Sequence, residues 1–234
     1  VMAPALEIYL DNQLVGKKNG KYIYNFGWYG TFGGASTFPT SFVFSDLDGV
    51  VTDLLSSCPV SITSLDCPEL VYVGGNLVTA AGPPPYPSLT SLNFPKLRVV
   101  GAVSFAITAA ALTTLNVPEL VFIGSTGGTF ASLPSLNHPK LKTAINMNAI
   151  TLNVATSIDF SSIVFIGSGL TIAAPNCTTL SLPTLGTWKV LNGSFTATSI
   201  AFNQTTVNNI LAALAYMDGT NNTLAFSTGR TVSI

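Results

Sequence analysis

One histidine, three cysteines and a cluster of aromatics hold most of this chain's capacity for chemistry or ligand contact. His138 is the single histidine, and the cysteines are Cys58, Cys67 and Cys177. A Ser–His or Cys–His pair would make a nucleophile, and such a pair needs the imidazole held beside the attacking atom. His138 instead takes a place that Phe94 and Val117 fill in related stretches, which reads as a wall or surface residue. The thiols make no zinc site, because there is no C-x₂-C spacing and one histidine cannot complete a ligand set. Cys58 and Cys67 could pair in an oxidising compartment; equally, Cys67 and Cys177 could be small buried hydrophobes. Four Asn-x-Ser/Thr sequons start at Asn176, Asn192, Asn203 and Asn221 and would be glycan acceptors in a secreted eukaryotic chain. The segment YIYNFGWYGTF places Tyr22, Tyr24, Trp28, Tyr29 and Phe32 close together, and Tyr86 lies in a proline-rich stretch. Exposed aromatic faces suit sugar stacking, and strand aromatics also suit covering an open end of a β structure. Either way they read as a contact surface. No residue set points to a catalytic centre, a metal or a cofactor.

What must position these residues is a recurring phrase. ITSLDCPELVYVGG, LTSLNFPKLRVVG, LTTLNVPELVFIG and LPSLNHPKLKTAI begin at Ile62, Leu89, Leu112 and Leu133. Degraded copies follow as TSIDFSSIVFIG, TTLSLPTLGTWKV and the fragment TSIAFN. The phrase proline falls at Pro68, Pro95, Pro118 and Pro139, then as Ser161 and again as Pro183, at intervals of 27, 23, 21, 22 and 22 residues. A unit that short cannot bury its own apolar face, so copies must stack. Apolar alternation (Leu89, Leu92, Phe94, Leu97) marks strands, with Pro at a corner. The glycines at 74, 101, 124 and 167 are expected to form the next turn with positive φ. The expected architecture is mainly β: a parallel right-handed β-solenoid with one C-terminal capping helix.

Three parts follow. Residues 1–57 are an aromatic-rich β region with a hairpin at Asn19-Gly20. Residues 58–203 are the solenoid, with AAGPPPYPS at 80–88 bulging as a loop. Residues 204–234 form a cap, where Val207, Ile210, Leu211, Leu214 and Met217 fall at helical spacing. Thr205 or Thr206 is expected to cap the helix start and Gly219 its end, and LAFSTGRTVSI reads as a last strand.

The chain has 234 residues, 47 % hydrophobic and 8 % charged, with a net charge of −1 and mean hydropathy of +0.50. Ser, Thr and Asn stand where an average chain carries charge. Stacked rungs favour this, since aligned like charges repel and hydroxyl ladders hydrogen-bond. Near-neutral charge argues against a nucleic-acid partner. The cluster Lys17, Lys18 and Lys21 is the tip of the hairpin rather than a phosphate site, which needs several cations on one face. No apolar run reaches the length of a membrane span. VMAPALEIYLDNQ has neither the basic start nor the long apolar centre of a secretory leader.

Three resemblances rest on these residues. FVFSDLDGVVTD at 42–53 resembles the nucleophile loop of haloacid-dehalogenase-type phosphatases, which implies Asp46 as nucleophile and Asp48 as acid. That fold requires strand–helix alternation after the loop, and here β repeats follow, so the stretch reads as an early irregular rung. Its acids also supply too few oxygens for a Ca²⁺ loop. The repeated phrase resembles leucine-rich-repeat surface proteins, the receptor L domain and related fungal cell-wall glycoproteins, which implies display and recognition. TTVNNILAALAYMDGTNNTLAFSTGRTV is similar to the helix-plus-strand ending of leucine-rich-repeat-like structural proteins of tailed phages. The last two imply a non-enzymatic structural or adhesive protein at a virion surface, a decoration, fibre or tail-associated subunit. The expected partners are copies of itself and other virion or surface subunits. The alternative is an extracellular or cell-surface filament protein that binds glycans or self-assembles.

Overall fold

A computed structural model describes residues 14–18, 21–24, 41–43, 47–50, 54, 61–75, 77, 87–101, 105–106, 110–183, 190–191, 194–198, 201–219 and 232–233. Strands β1 (Leu14–Lys18) and β2 (Lys21–Tyr24) form the expected antiparallel hairpin, with Lys18 opposite Lys21. Every other strand pairing among the described residues is parallel. β3 (Ser41–Val43) and β4 (Leu47–Val50) stack on β5 (Ser64–Asp66) and β6 (Tyr72–Val73). The LDGV segment is thus part of a rung, and parallel stacking reaches back to β2, where Tyr22 is the register partner of Leu47.

Each copy of the phrase then builds two walls that meet at the proline. The first wall holds β3, β5, β7 (Ser91–Asn93) and β10 (Thr114–Asn116) in one sheet, and β12 (Ser135–Asn137), β14 (Ser157–Asp159) and β17 (Thr179–Ser181) in another. The second wall holds β6, β8 (Val99–Val100), the start of β11 (Phe122–Thr129), the start of β13 (Thr143–Thr151), β15 (Phe165–Ile166) and β18 (Val190–Leu191). Register breaks after Ser125 in β11 and Met147 in β13 carry these strands onto a third wall, as bulges bend a strand. There they meet β9 (Phe105–Ala106), β16 (Leu170–Ala173), β19 (Phe195–Thr198) and β20 (Val232–Ser233).

The proline corner is a four-residue turn. Leu70 N–H donates to Cys67 O at 3.2 Å, and Leu97, Leu120, Leu141 and Ile163 repeat this bond. Proline at the second turn position presets φ and gives up an N–H the turn does not use. Where Ser161 replaces it, the extra N–H is taken by Asp159 Oδ1 at 2.8 Å.

Inward positions form columns: Leu65, Leu92, Leu136, Ile158 and Leu180 behind the first wall; Leu70, Leu97, Leu120, Leu141 and Ile163 at the corner; Val73, Val100, Ile123, Ala144 and Ile166 behind the second. All belong to one continuous core. Burying each large side chain gains about 1.5–3 kcal/mol.

The glycine reading needs correction. Gly124 lies inside β11, and neither Gly101 nor Gly167 has a left-handed backbone. They are glycines for clearance: a Cβ on Gly101 would overlap the Gly74 carbonyl, and one on Gly167 would sit 2.8 Å from Ile145 O. Phe165 leans over Gly167, 3.1 Å from where that Cβ would be.

The last rung is covered by helix α1 (Gln204–Gly219). Its start is capped by Asn203 rather than by Thr205 or Thr206: Asn203 Oδ1 accepts from Thr206 N–H at 2.8 Å. Thr206 has another task. Along the first wall, Thr90, Thr113 and Thr178 hydroxyls each donate to the threonine carbonyl one rung earlier, at 3.0, 3.2 and 3.2 Å. Thr206 Oγ1 donates to Thr178 O at 2.8 Å, so the helix presents the threonine a next rung would have supplied. Ile210, Ala213 and Leu214 close the core beneath it.

Candidate functional site

The outer face of the first wall carries two side-chain ladders. Ser41, Ser64, Ser91 and Thr114 are successive register partners, as are Asp66, Asn93 and Asn116. Ser64 Oγ donates to Ser41 Oγ at 2.8 Å. Asn93 Nδ2 donates to Asp66 Oδ1 at 2.8 Å, and Asn116 Nδ2 to Asn93 Oδ1 at 2.6 Å. Neighbouring parallel strands lie about 4.8 Å apart, so short polar side chains on adjacent rungs meet head to tail. The two ladders line a shallow open groove floored by Leu65 and Leu115. Each ladder amide spends one N–H on its neighbour and keeps the other for solvent or a ligand.

The groove ends at a seam. Strand β10 closes one sheet and β12 opens the next. At other rungs the threonine N–H bonds the carbonyl one rung earlier: Thr90 to Thr63, Thr113 to Thr90, and Thr178 to Thr156, at 2.8, 3.0 and 2.9 Å. Pro134 occupies that place between Thr113 and Thr156 and has no N–H to give. Beside the seam Leu115 is only half buried, whereas Leu65 and Leu92 are buried. Past it the amide ladder stops, and Asn137 turns to Ser135 of its own strand.

The residues with nucleophilic or metal-binding potential are spent on packing. His138 is 3 % exposed, in the core column between Val117 and Phe160, which corrects its assignment to wall or surface. Its ring stacks on Phe160 with centroids 6.0 Å apart. Burial lowers its pKa to about 4, against smaller upward pulls from the Asn137 backbone and the Asp159 carboxylate. Cys67 and Cys177 are buried thiols outside any disulfide, and burial pushes both up. Cys67 takes the place of Phe94, and Cys177 that of Leu89 and Leu112, so both are small hydrophobes. Cys58 lies outside the described residues. Among the described residues, no three His, Cys, Asp or Glu side chains gather where a metal would bind.

Of the aromatics expected to form a contact surface, Tyr22 and Tyr24 lie in β2, paired with Leu47 and Val50 of β4. Trp28, Tyr29, Phe32 and Tyr86 lie outside the described residues, as do Asp46, Asn192 and Asn221. Asn176 and Asn203 are exposed, and Asn176 Nδ2 donates to Asn153 O at 2.5 Å. The ladder residues Asp66, Asn93 and Asn116 were not singled out from sequence, though their signal was present: SLD, SLN and TLN sit at one offset in three copies.

The second wall carries a different pattern. At its corner Glu69, Lys96, Glu119 and Lys140 follow one another, and Lys96 pairs with Glu69 at 2.6 Å while Lys140 pairs with Glu119. Among the described residues no helix is long and apolar enough to cross a membrane. No family model, curated protein or solved structure matches the chain.

Proposed function

We propose that this chain is a non-enzymatic structural and adhesive protein, a virion subunit of the decoration, fibre or tail-associated kind that displays a Ser/Thr/Asn-rich solenoid surface. The observation that carries this reading is the allocation of side chains. Outward positions on the first wall are ordered into fixed polar ladders, while His138, Cys67 and Cys177 are sealed in the core. A surface preorganised by its own hydrogen bonds presents a repeating pattern at little conformational cost. The virion setting draws on the resemblance of the C-terminal helix and strand to phage structural proteins.

Intact-mass measurement of native material tests the setting. A virion subunit gives the sequence mass; added hexose at Asn192 or Asn221 would move the chain to an extracellular surface. A glycan array tests adhesion: signal lost in Trp28→Ala and Tyr29→Ala assigns it to the aromatic segment, and signal that survives rules that segment out. No signal on glycans or other surfaces would leave a purely structural role.

A further inference from the structure

The outward face of the second wall alternates with a two-rung period in three adjacent columns. The first column is Glu69, Lys96, Glu119, Lys140. The second is Val71, Arg98, Val121, Lys142, stacked through Arg98 N–H to Val71 O, Val121 N–H to Arg98 O and Lys142 N–H to Val121 O, each at 2.9 Å. The third is Tyr72, Val99, Phe122, Thr143, in direct register. Charge alternates in sign, cations alternate with valines, and large side chains alternate with small ones. Tyr72 is 43 % exposed and Ile145 of the same wall 48 %.

From this we infer that the second wall is the docking face for a second copy of the chain, laid antiparallel across a two-fold axis between the Lys96 and Glu119 rungs. An isologous contact must be self-complementary, with each residue meeting its mirror position on the partner. About that axis Glu69 meets Lys140 and Lys96 meets Glu119 of the second copy. Val71 meets Lys142 and Arg98 meets Val121, so no two cations face. Tyr72 meets Thr143 and Val99 meets Phe122, so large fits against small, as interdigitation requires. An axis through the Lys96 rung would set Lys96 and Arg98 against their own copies, which like-charge repulsion opposes. Within one chain Lys96 is held by Glu69 and Lys140 by Glu119; the axis falls between these pairs and joins them into a four-charge row.

The matched patch is small. Three steps of about 4.8 Å span its height and three of about 3.3 Å its width. That is well below the roughly 800 Å² per partner of a stable pair, so the dimer is weak and concentration-dependent.

This inference rests on the reading that the chain assembles with itself, and sedimentation velocity from micromolar to millimolar protein separates the two. The wild type shifts from monomer to dimer. Lys96→Glu alone places acid against acid twice and weakens association at least about tenfold; Glu119→Lys alone does the same with bases. Mixing these two single variants restores a heterodimer, since each supplies the charge the other lacks. The Lys96→Glu/Glu119→Lys double variant also dimerises near wild-type strength, although both of its intrachain pairs are now repulsive. A wild type that stays monomeric throughout overturns both readings. A wild type that associates, with variants and mixture indistinguishable from it, overturns only the assignment to this face. Circular dichroism of each variant confirms the fold, and the mixing arm decides if the double variant does not fold.

Discussion

Replacing His138 by phenylalanine should remove a defined part of the protein's acid sensitivity. In the folded chain the ring is sealed against Phe160 and its pKa falls to about 4, from an ordinary value of 6.5. The unfolded chain therefore binds a proton near pH 6.5 that the folded chain refuses until about pH 4. Stability is full above about pH 7, declines as the pH drops through this window and levels off below it. At 1.36 kcal/mol per pKa unit the loss is about 3 kcal/mol. For a chain of this size that corresponds to roughly 6–12 °C of melting temperature. The assay is urea or thermal unfolding of wild type and His138→Phe at half-unit steps from pH 7.5 to 3.5. Ionisations common to the two proteins cancel in the comparison. The variant's absolute stability includes a packing change, because phenylalanine is larger than imidazole; the slope difference does not. Parallel pH profiles for the two proteins would refute the buried neutral histidine.

Three further outcomes follow from local geometry. Gly101→Ala should cost about 3 kcal/mol, seen as a lower urea midpoint, because the new methyl group overlaps the Gly74 carbonyl and backbone cannot move aside cheaply. Asn203→Ala removes the acceptor for Thr206 N–H and should cost about 1 kcal/mol, with hydrogen exchange accelerating first in helix α1. Pro134→Thr supplies the N–H missing at the seam and should gain about 1 kcal/mol, with a newly protected amide at position 134 and slower exchange along β10 and β12.

The walls were legible because the same residue types return at the same offset. Leu65, Leu92, Leu136 and Ile158 mark one inward column, and the prolines mark one corner. Averaging over copies makes alternation visible where a single three-residue strand would be ambiguous. Departures from the average were harder to read. Gly101 and Gly167 suggested turns, but their need is for clearance against the rung before, which depends on stacking distance rather than on local sequence. Asn203 displaced two threonines as the helix cap because Thr206 was drawn to the Thr178 carbonyl, a tertiary partner 28 residues away. His138 stood at a position that phenylalanine and valine fill elsewhere, and the column decided its fate over its polarity. The seam at Pro134 was written as one proline in a column of threonines, and its meaning appears only once the threonine N–H is known to bond across rungs.

Each rung holds one copy of the phrase, with identical offsets stacked in register, and paired cysteines test that most directly. Ser64 and Ser91 are register partners, as are Ser91 and Thr114, whereas Ser64 and Thr114 are two rungs apart. Neighbouring rungs set Cα atoms about 4.8 Å apart, within disulfide range, and two steps exceed it. Mild oxidation followed by peptide mapping should find a bond in Ser64→Cys/Ser91→Cys and in Ser91→Cys/Thr114→Cys, and none in Ser64→Cys/Thr114→Cys. The buried Cys67 and Cys177 stay reduced throughout. A bond in the skipped pair, or none in either neighbouring pair, would contradict the stacking on which every surface described above depends.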